Sequence, residues 1–319
     1  MASLPGQSDQ RWSLAHRLLI SKFLRPHRVY PASTGHSGDS LKAALGESEE
    51  EALHRLLTAG HLIQCCVAEK LVDCFSSGQL KQMLRDRQLK LSGTKEQMTE
   101  RLCTADAAGM EKAVAGIILL RCSETGQQLA NQFLARKEDV RRNALEALRQ
   151  RNLELAVSVV SSFNDELGFP IDPMFSSSRE TLREQLRRTF TASPKILSGV
   201  DEKALECCRI AVGMSFLGLG LVWPPSDPET ESRMEDMTLD VVAMLISSVQ
   251  SGMNLEDWRT SGFVKSIKIV GSSGGDSCPA CKSAQKAPWP IKDVPELPIP
   301  DCTSEGGCNC SYVTHEIGE

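Results

Sequence analysis

Apolar residues recur along most of this chain at spacings of three and four, the period of helices that bury one face. Residues 10–25 form one such amphipathic stretch and predict a short helix, followed by a loop over 26–39 rich in Pro, Ser, Gly and His. The next helix is marked at both ends. Ser48 is a candidate cap, Glu51 completes a capping box, Leu53, Leu56 and Leu57 form the stripe, and Gly60 ends it. Residues 62–75 lead into a pair of capped helices. Ser76 with Gln79 opens the first, where Leu80, Met83 and Leu84 share a face. Thr94 with Gln97 opens the second, where Met98 and Leu102 lie one turn apart. Leu89 and Leu91 alternate through the turn between them. That turn ends in Gly93, which tolerates a backbone angle other residues avoid.

From 107 to 167 the pattern reads as helical throughout. Ile117, Leu120, Leu129, Phe133 and Leu134 mark the first apolar face, and Leu145, Leu148, Leu153, Ala156, Val157 and Val160 the next. The stretch 137–151 alternates in charge and predicts a solvated face. A Gly- and Pro-containing break at 168–173 precedes helices expected at about 178–191, 201–218 and 233–252, the middle one capped by Asp201. The longest apolar run, 210–223, is shorter than the roughly 20 residues a bilayer span needs and is stopped by Pro224 and Pro225. It reads as a buried helix, so no membrane association is expected. The period changes after Trp258. Residues 263–270 alternate as a half-buried strand, and 271–275 form a Gly/Ser link to a tail rich in Pro and Cys. The expected fold class is mainly α: a multi-helix body with an embedded helix–extended–helix unit and a small β module at the C-terminus. The expected layout is an N-terminal helical region (1–75), the embedded unit (76–105), a helical domain (106–258) and the strand with its Cys-rich module (259–319).

At 319 residues the chain is long enough for two or three domains. Its aromatic content of 5% disfavours single-strand binding by base stacking. Its net charge of −5 and pI near 5.8 exclude broad coating of a polyanion. The charge is uneven, however. Residues 76–103 carry Lys81, Arg85, Arg87, Lys90, Lys95 and Arg101 against Asp86, Glu96 and Glu100. A basic island in an acidic chain is a candidate phosphate-binding patch. The amides at 92–95 precede a helix N-terminus, which suits a phosphate.

The twelve cysteines divide into two classes. The first residues do not form a secretory signal, because His16 and Arg17 break the apolar stretch, so a cytoplasmic chain with reduced thiols or bound metal is expected. Cys65, Cys66, Cys74, Cys103, Cys122, Cys207 and Cys208 are scattered through helical patterns and read as small core residues. The other five are Cys278-x-x-Cys281, Cys302 and Cys308-x-Cys310. Two such groups about twenty residues apart match a zinc-ribbon-like clip, in which two turns hold one tetrahedral Zn2+. The expected ligands are Cys278, Cys281, Cys302 and Cys310, with Cys308 and then His315 as substitutes. Trp289, Pro290, Val294 and Leu297 supply a minimal core that needs metal to fold alone. A redox-active Cys-x-x-Cys is a second reading. It lacks the preceding aromatic and following long helix of a thioredoxin-like context.

No phosphate-binding glycine motif, nucleophile elbow or His-Glu-x-x-His is present, so the chain is not expected to be an enzyme. His27, His36, His54 and His61 read as surface or helix-face residues. A nuclease built on scattered carboxylates stays open.

The stretch 76–103 resembles a SAP domain, a two-helix module that binds mostly DNA. The resemblance rests on Leu80-Lys81-x-Met83-Leu84 and on Leu89-Lys90-x-Ser92-Gly93-Thr94-Lys95. It implies contact with the duplex backbone, with little base specificity, through Lys81, Arg85, Lys90, Gly93, Thr94 and Lys95. The tail resembles the C-terminal region of phage Mu F-like minor head proteins, through the strand at 264–270, Cys278, Cys281, Pro295, Leu297, Pro298, Cys308 and Cys310. The family's His-Pro-x-Cys becomes Ile299-Pro300-Asp301-Cys302 here. A two-zinc RING needs more ligands than this tail offers, and the histidines of an HNH nuclease are absent. The expectation is a non-enzymatic bacterial DNA-binding protein of the cytoplasm, with nucleoid association as a further option, built from a SAP-like unit and a structural zinc clip that docks a protein partner. The alternatives are an assembly protein of a phage or mobile element, and a subunit of a nuclease system.

Overall fold

Helix caps written into the sequence start several of the helices. The computed structural model describes residues 12–29, 36–168, 178–224, 238–271, 277–304 and 307–318. These contain thirteen α-helices and six strands. The chain divides into two units, Met1–Asp139 with Phe163–Ile171, and Val140–Ser162 with Asp172–Glu319. The breaks expected at 168–173, 224–228 and 271–275 fall largely outside the described residues.

The first unit opens with α1 (Leu14–Ser21), β1 (His27–Arg28), α2 (His36–Leu45) and α3 (Glu49–Thr58). The expected loop at 26–39 therefore contains β1 and the start of α2. The capping box of α3 is present: Ser48 N–H donates to Glu51 Oε2 at 2.9 Å, and Glu51 N–H to Ser48 Oγ at 3.2 Å. After β2 (Leu62–Gln64) come α4 (Val67–Cys74), α5 (Ser77–Asp86), α6 (Lys95–Ala105) and α7 (Ala107–Ala113), then β3 (Leu119–Cys122). Leu19, Ile20 and Phe23 of the α1 region pack with Leu41, Leu45, Leu53, Leu56, Leu62, Leu120 and Cys122. Helix α8 (Glu124–Arg149) follows, then α9 (Leu153–Leu167). Gly126 lets the first turn of α8 lie against the 60–61 turn, since a Cβ there would sit 1.9 Å from the His61 carbonyl oxygen.

The uninterrupted helical pattern expected from 107 to 167 is broken by β3. This strand lies between β1 and β2, antiparallel to both. Leu119, Leu120 and Cys122 are all buried. A central strand covered on both faces shows a continuous apolar run instead of alternation, and so reads like part of a helix.

The β2–β3 pair also frames the 76–103 stretch. Leu62 pairs with Cys122 and Gln64 with Leu120, and Cys65 N–H donates to Leu119 O at 2.9 Å. The chain thus leaves β2 and re-enters the neighbouring strand after four helices. Those helices have a core of their own: Leu71, Leu80, Leu84, Met98, Leu102, Met110 and Val114. The unit that buries the two capped helices thus also draws on α4 and α7, and it sits on a two-stranded stem.

In the second unit α10 (Arg179–Thr191) leads through a 3-10 turn (Lys195–Leu197) to α11 (Glu202–Phe216) and α12 (Thr238–Ser261). Asp201 caps α11, accepting from Lys203 N–H at 3.1 Å and Ala204 N–H at 3.2 Å. The apolar run beginning at Ile210 is a buried face of α11, with Ala211, Val212 and Cys208 packed on Val241, Val242 and Leu245 of α12. No helix among the described residues is long and apolar enough to cross a membrane. Arg209 is buried on α11. It donates to Glu202 Oε1 at 2.9 Å and to the Ala192 carbonyl at 3.0 Å, tying α11 to the end of α10.

A small antiparallel sheet completes this unit, in the order β5-β4-β6, from β4 (Val264–Val270), β5 (Trp289–Pro290) and β6 (Ser311–Ile317); α13 (Pro279–Ala284) lies between β4 and β5. Strand β4 was legible in the sequence, but its alternation is not regular. Val264, Ile267 and Ile269 are buried, and the phase slips where the pairing with β6 shifts register around Ser266. The whole is mainly helical, with small antiparallel sheets and a cysteine cluster beside the C-terminal one.

Candidate functional site

Five cysteines converge next to the C-terminal sheet. Cys278 is the N-cap of α13, and its sulfur accepts the Cys281 N–H at 3.5 Å. Cys281 follows one turn later on the buried side of the helix. Cys302 comes from the turn after Ile299, where its N–H donates to Ile299 O at 3.1 Å. Cys308 and Cys310 lie on the segment entering β6. The Sγ–Sγ separations are 3.7 Å for Cys278–Cys302, 3.5 Å for Cys281–Cys302 and 3.8 Å for Cys281–Cys308. No disulfide joins them. The sulfurs fall into two triads, Cys278/Cys281/Cys302 and Cys281/Cys308/Cys310, each with all sulfurs within 4.8 Å. Cys281 belongs to both.

These residues can hold a metal ion. Four sulfurs at ~2.3 Å around a tetrahedral ion lie ~3.8 Å apart, and the three quoted separations are close to that edge. The amide N–H groups of Cys281 and Thr303 lower the Cys278 thiol to about 6, so this sulfur already favours the thiolate. Burial pushes Cys281 well up and Cys310 to about 11, as expected of thiols that need a cation to ionise in an apolar core. The surrounding core is small: Ile269, Ala284, Leu297 and Ile299 are its buried members other than four of the cysteines.

Cys278, Cys281, Cys302, Cys310 and Cys308 all come together, whereas His315 does not. His315 sits on β6 with Nδ1 3.2 Å from Ser266 Oγ and belongs to neither cysteine group. Gln285, Ser304 and Tyr312, not singled out in the sequence, support the cluster together with Trp289 of the expected core. Gln285 Nε2 donates to Cys310 Sγ at 3.7 Å, and Ser304 Oγ accepts the Cys278 N–H at 3.3 Å. Tyr312 donates to the Pro295 carbonyl at 2.6 Å, and Trp289 Nε1 to the Ala284 carbonyl at 2.8 Å. Gln285 follows Cys281 by four residues, a helical spacing that puts both on one face.

The second candidate is the basic rim of the α4–α7 unit. Both expected capping boxes form: Ser76 with Gln79, and Thr94 with Gln97. Of the six basic residues, three are committed inside the protein. Arg87 pairs with Asp106 at 2.5 Å. Arg101 donates to the carbonyls of Lys90 and Ser92, closing the turn between α5 and α6. Lys95 Nζ donates to the Val72 carbonyl on α4 at 2.7 Å. The other three, Lys81, Arg85 and Lys90, are exposed and make no ion pair among the described residues. Arg85 donates only to the neutral Gln82 amide, at 3.1 Å. Lys81 and Arg85 stand one turn apart on α5, and Lys90 lies on the turn beyond its end.

Gly93 has φ +123°, and Thr94 Oγ1 accepts the Gln97 N–H. The N-terminus of α6 already has an anion: Glu96 is held below its ordinary value by its own amide N–H and by the Thr94 hydroxyl. Of the expected contact residues, Gly93, Thr94 and Lys95 therefore build the turn, and Lys81, Arg85 and Lys90 face solvent.

Among the described residues the histidines form no metal-ligating group. His54 is exposed, His27 lies edge-on to Phe23, and His61 bonds Thr125 Oγ1 at 3.2 Å. The side chain of His36 lies outside the described residues. His16, buried on α1, is held between Ser13 Oγ at 2.7 Å and Glu47 Oε1 at 2.9 Å. Among the described residues, only cysteines form groups of three or more metal-ligating side chains.

Comparison with protein-family models, with curated proteins and with solved structures found no match.

Proposed function

We propose that this protein associates with DNA through the α4–α7 unit, read as a SAP-like module, and carries a structural zinc ion in its C-terminal cysteine cluster. The observation that carries the first half is the set of three exposed, uncommitted cations, Lys81, Arg85 and Lys90, on a helical unit with its own core. Such a set suits the phosphate backbone and carries no base-reading chemistry of its own. Arg101, bonded to the Lys90 carbonyl, fixes the backbone that carries Lys90. Zinc is the ion assigned because buried thiolates near tetrahedral spacing select it. The C-terminal module, braced by the ion, serves as a docking clip for a protein partner.

The test is titration of a short duplex with the purified protein and with the triple variant Lys81→Glu/Arg85→Glu/Lys90→Glu. The proposal expects binding by the first and loss of binding by the second, with unchanged circular dichroism. Equal affinity for both proteins sinks it.

A second reading, an assembly protein of a phage or mobile element, draws support from the way β4, the Cys-x-x-Cys turn and the Cys-x-Cys segment close on one another, as the resemblance to Mu F-like minor head proteins implies. It expects concentration-dependent oligomers in sedimentation and no duplex binding. The nuclease reading gains no support, since no carboxylate joins a metal-ligating group among the described residues.

A further inference from the structure

The five thiols do not close into one tetrahedron. Around a single ion with ~2.3 Å bonds, all four sulfurs lie ~3.8 Å from one another. Among the described residues, no four metal-ligating side chains gather within 4.8 Å of one another. The thiols gather instead as two threes, Cys278/Cys281/Cys302 and Cys281/Cys308/Cys310, with Cys281 in both. We infer that this centre holds two Zn2+ ions, one on each triad, joined by the Cys281 sulfur. The inference rests on the zinc reading above and goes beyond it in the number of ions and in the bridging role of Cys281.

Three observations carry it. First, the close sulfur pairs fall within the triads. Cys278–Cys302 at 3.7 Å and Cys281–Cys302 at 3.5 Å belong to the first, and Cys281–Cys308 at 3.8 Å to the second. Each is near the ~3.8 Å that separates two ligands of one ion. Neither Cys308 nor Cys310 is grouped with Cys278 and Cys302, so both are members of the second site alone. Second, the remaining partners of the sulfurs fit a bridge. One outer sulfur of each triad accepts a backbone amide: Cys278 from Cys281 N–H at 3.5 Å, and Cys308 from Ile299 N–H at 3.3 Å. Cys310 Sγ is contacted by Gln285 Nε2 at 3.7 Å. Such fixed donors disperse the charge of a metal-bound thiolate. Among the described residues no N–H donates to the Cys281 sulfur, whose lone pairs are left for two ions. Third, charge favours a second ion. One Zn2+ among five thiolates leaves three net negative charges beside four buried cysteines, and still two if the fifth thiol stays protonated. Two ions leave one. Three thiolates leave each ion one further position. Cys302 of the first triad is partly exposed, so water reaches that side, and the Gln285 side-chain amide stands beside the second.

Zinc and cadmium are the probes. Cadmium occupies thiolate sites as zinc does, and its NMR-active isotope reports each bound ion separately. The full chain, reduced and freed of metal, is loaded with Zn2+ and its ions are counted by native mass spectrometry. A second sample is loaded with isotopic Cd2+ for NMR. The expected count is two ions per chain. The expected cadmium spectrum has two resonances, each split by the other through the shared sulfur. Cys308→Ser/Cys310→Ser should halve the count to one ion and leave a single unsplit resonance. A parent protein that saturates at one ion overturns the inference and leaves the one-zinc reading standing. Two resonances without mutual splitting overturn the bridge, and a double variant that still takes two ions overturns the assignment of the second site. If the variant does not fold, the count and the splitting in the parent protein decide alone. A parent protein that takes up neither metal removes the zinc reading itself, and the inference with it.

Discussion

Replacing Gly93 by Ala tests how the turn that carries Lys90 is held. Gly93 has φ +123°, where an L side chain is strained at a cost of about 2 kcal/mol. A Cβ at this position would also meet Gln97 Oε1 at 2.5 Å and the Arg101 Nη2 at 3.0 Å. Both side chains are flexible, but both are committed. Gln97 Oε1 accepts the Thr94 N–H at 3.1 Å as half of the capping box, and Arg101 closes the turn on the Lys90 and Ser92 carbonyls. Displacing Gln97 forfeits a cap worth about 1 kcal/mol. The two costs together come to about 3 kcal/mol, a large part of the stability of a small domain. Urea denaturation followed by circular dichroism reads the difference, and hydrogen exchange on α5 and α6 locates it. A Gly93→Ala protein within about 0.5 kcal/mol of the parent, the range of an ordinary surface substitution, would refute this account of the turn.

Asp106 both pairs with Arg87 and caps α7, accepting Gly109 N–H at 2.9 Å, so Asp106→Ala should destabilise more than Arg87→Ala in thermal melts. The second loses only a half-exposed, solvent-screened ion pair, and the reverse order would contradict the assignment. The Arg87 guanidinium, with the Gly109 amide, holds the Asp106 carboxyl below its ordinary value. A depressed carboxylate stabilises the fold above its unfolded pKa and ceases to as pH falls through the folded one. Asp106→Asn should therefore flatten the melting curve of the α4–α7 unit on the acid side of the ordinary aspartate range; an unchanged acid slope would count against it. Half of the buried residues in the core of the C-terminal module are cysteines, so on the zinc proposal a chelator should loosen this module and added Zn2+ should restore it. Tryptophan fluorescence, compared with that of a Trp289→Phe variant to isolate the module's signal, reads both steps, and indifference to the chelator would contradict a structural ion.

Features set by near neighbours in the chain were legible in the sequence. Ser48/Glu51, Ser76/Gln79, Thr94/Gln97 and Asp201 all cap helices as their spacing implied. The five tail cysteines were legible as a group because a Cys-x-x-Cys turn and a Cys-x-Cys segment each bring two thiols together locally. Features that depend on distant partners were not legible. Strand β3 is buried on both faces and lacks a period-2 signal, and its neighbour β1 is two residues long. Strand β6, with Tyr312, Thr314 and Glu316 among its residues, carries almost no apolar pattern because it is an exposed edge. The charge of the 76–103 stretch could be counted from the sequence, but not which cations are spent. Lys95 is taken by a carbonyl twenty-three residues upstream and Arg87 by a carboxylate nineteen residues downstream. The pivotal place of Cys281, shared by two triads, likewise appears only when the loops close on each other.

The most direct test of the central claim is the salt dependence of duplex binding, measured for the parent protein and for Lys81→Ala/Arg85→Ala/Lys90→Ala. Each phosphate neutralised contributes about 0.9 to the slope of log affinity against log salt, so three contacts give about 2.7. Between about 50 and 200 mM salt that amounts to a weakening of roughly 40-fold. The account predicts that this slope is present in the parent protein and is lost with the three cations, while the melting temperature holds. A parent protein that does not bind the duplex at low salt, or a triple variant with the same slope, would contradict it.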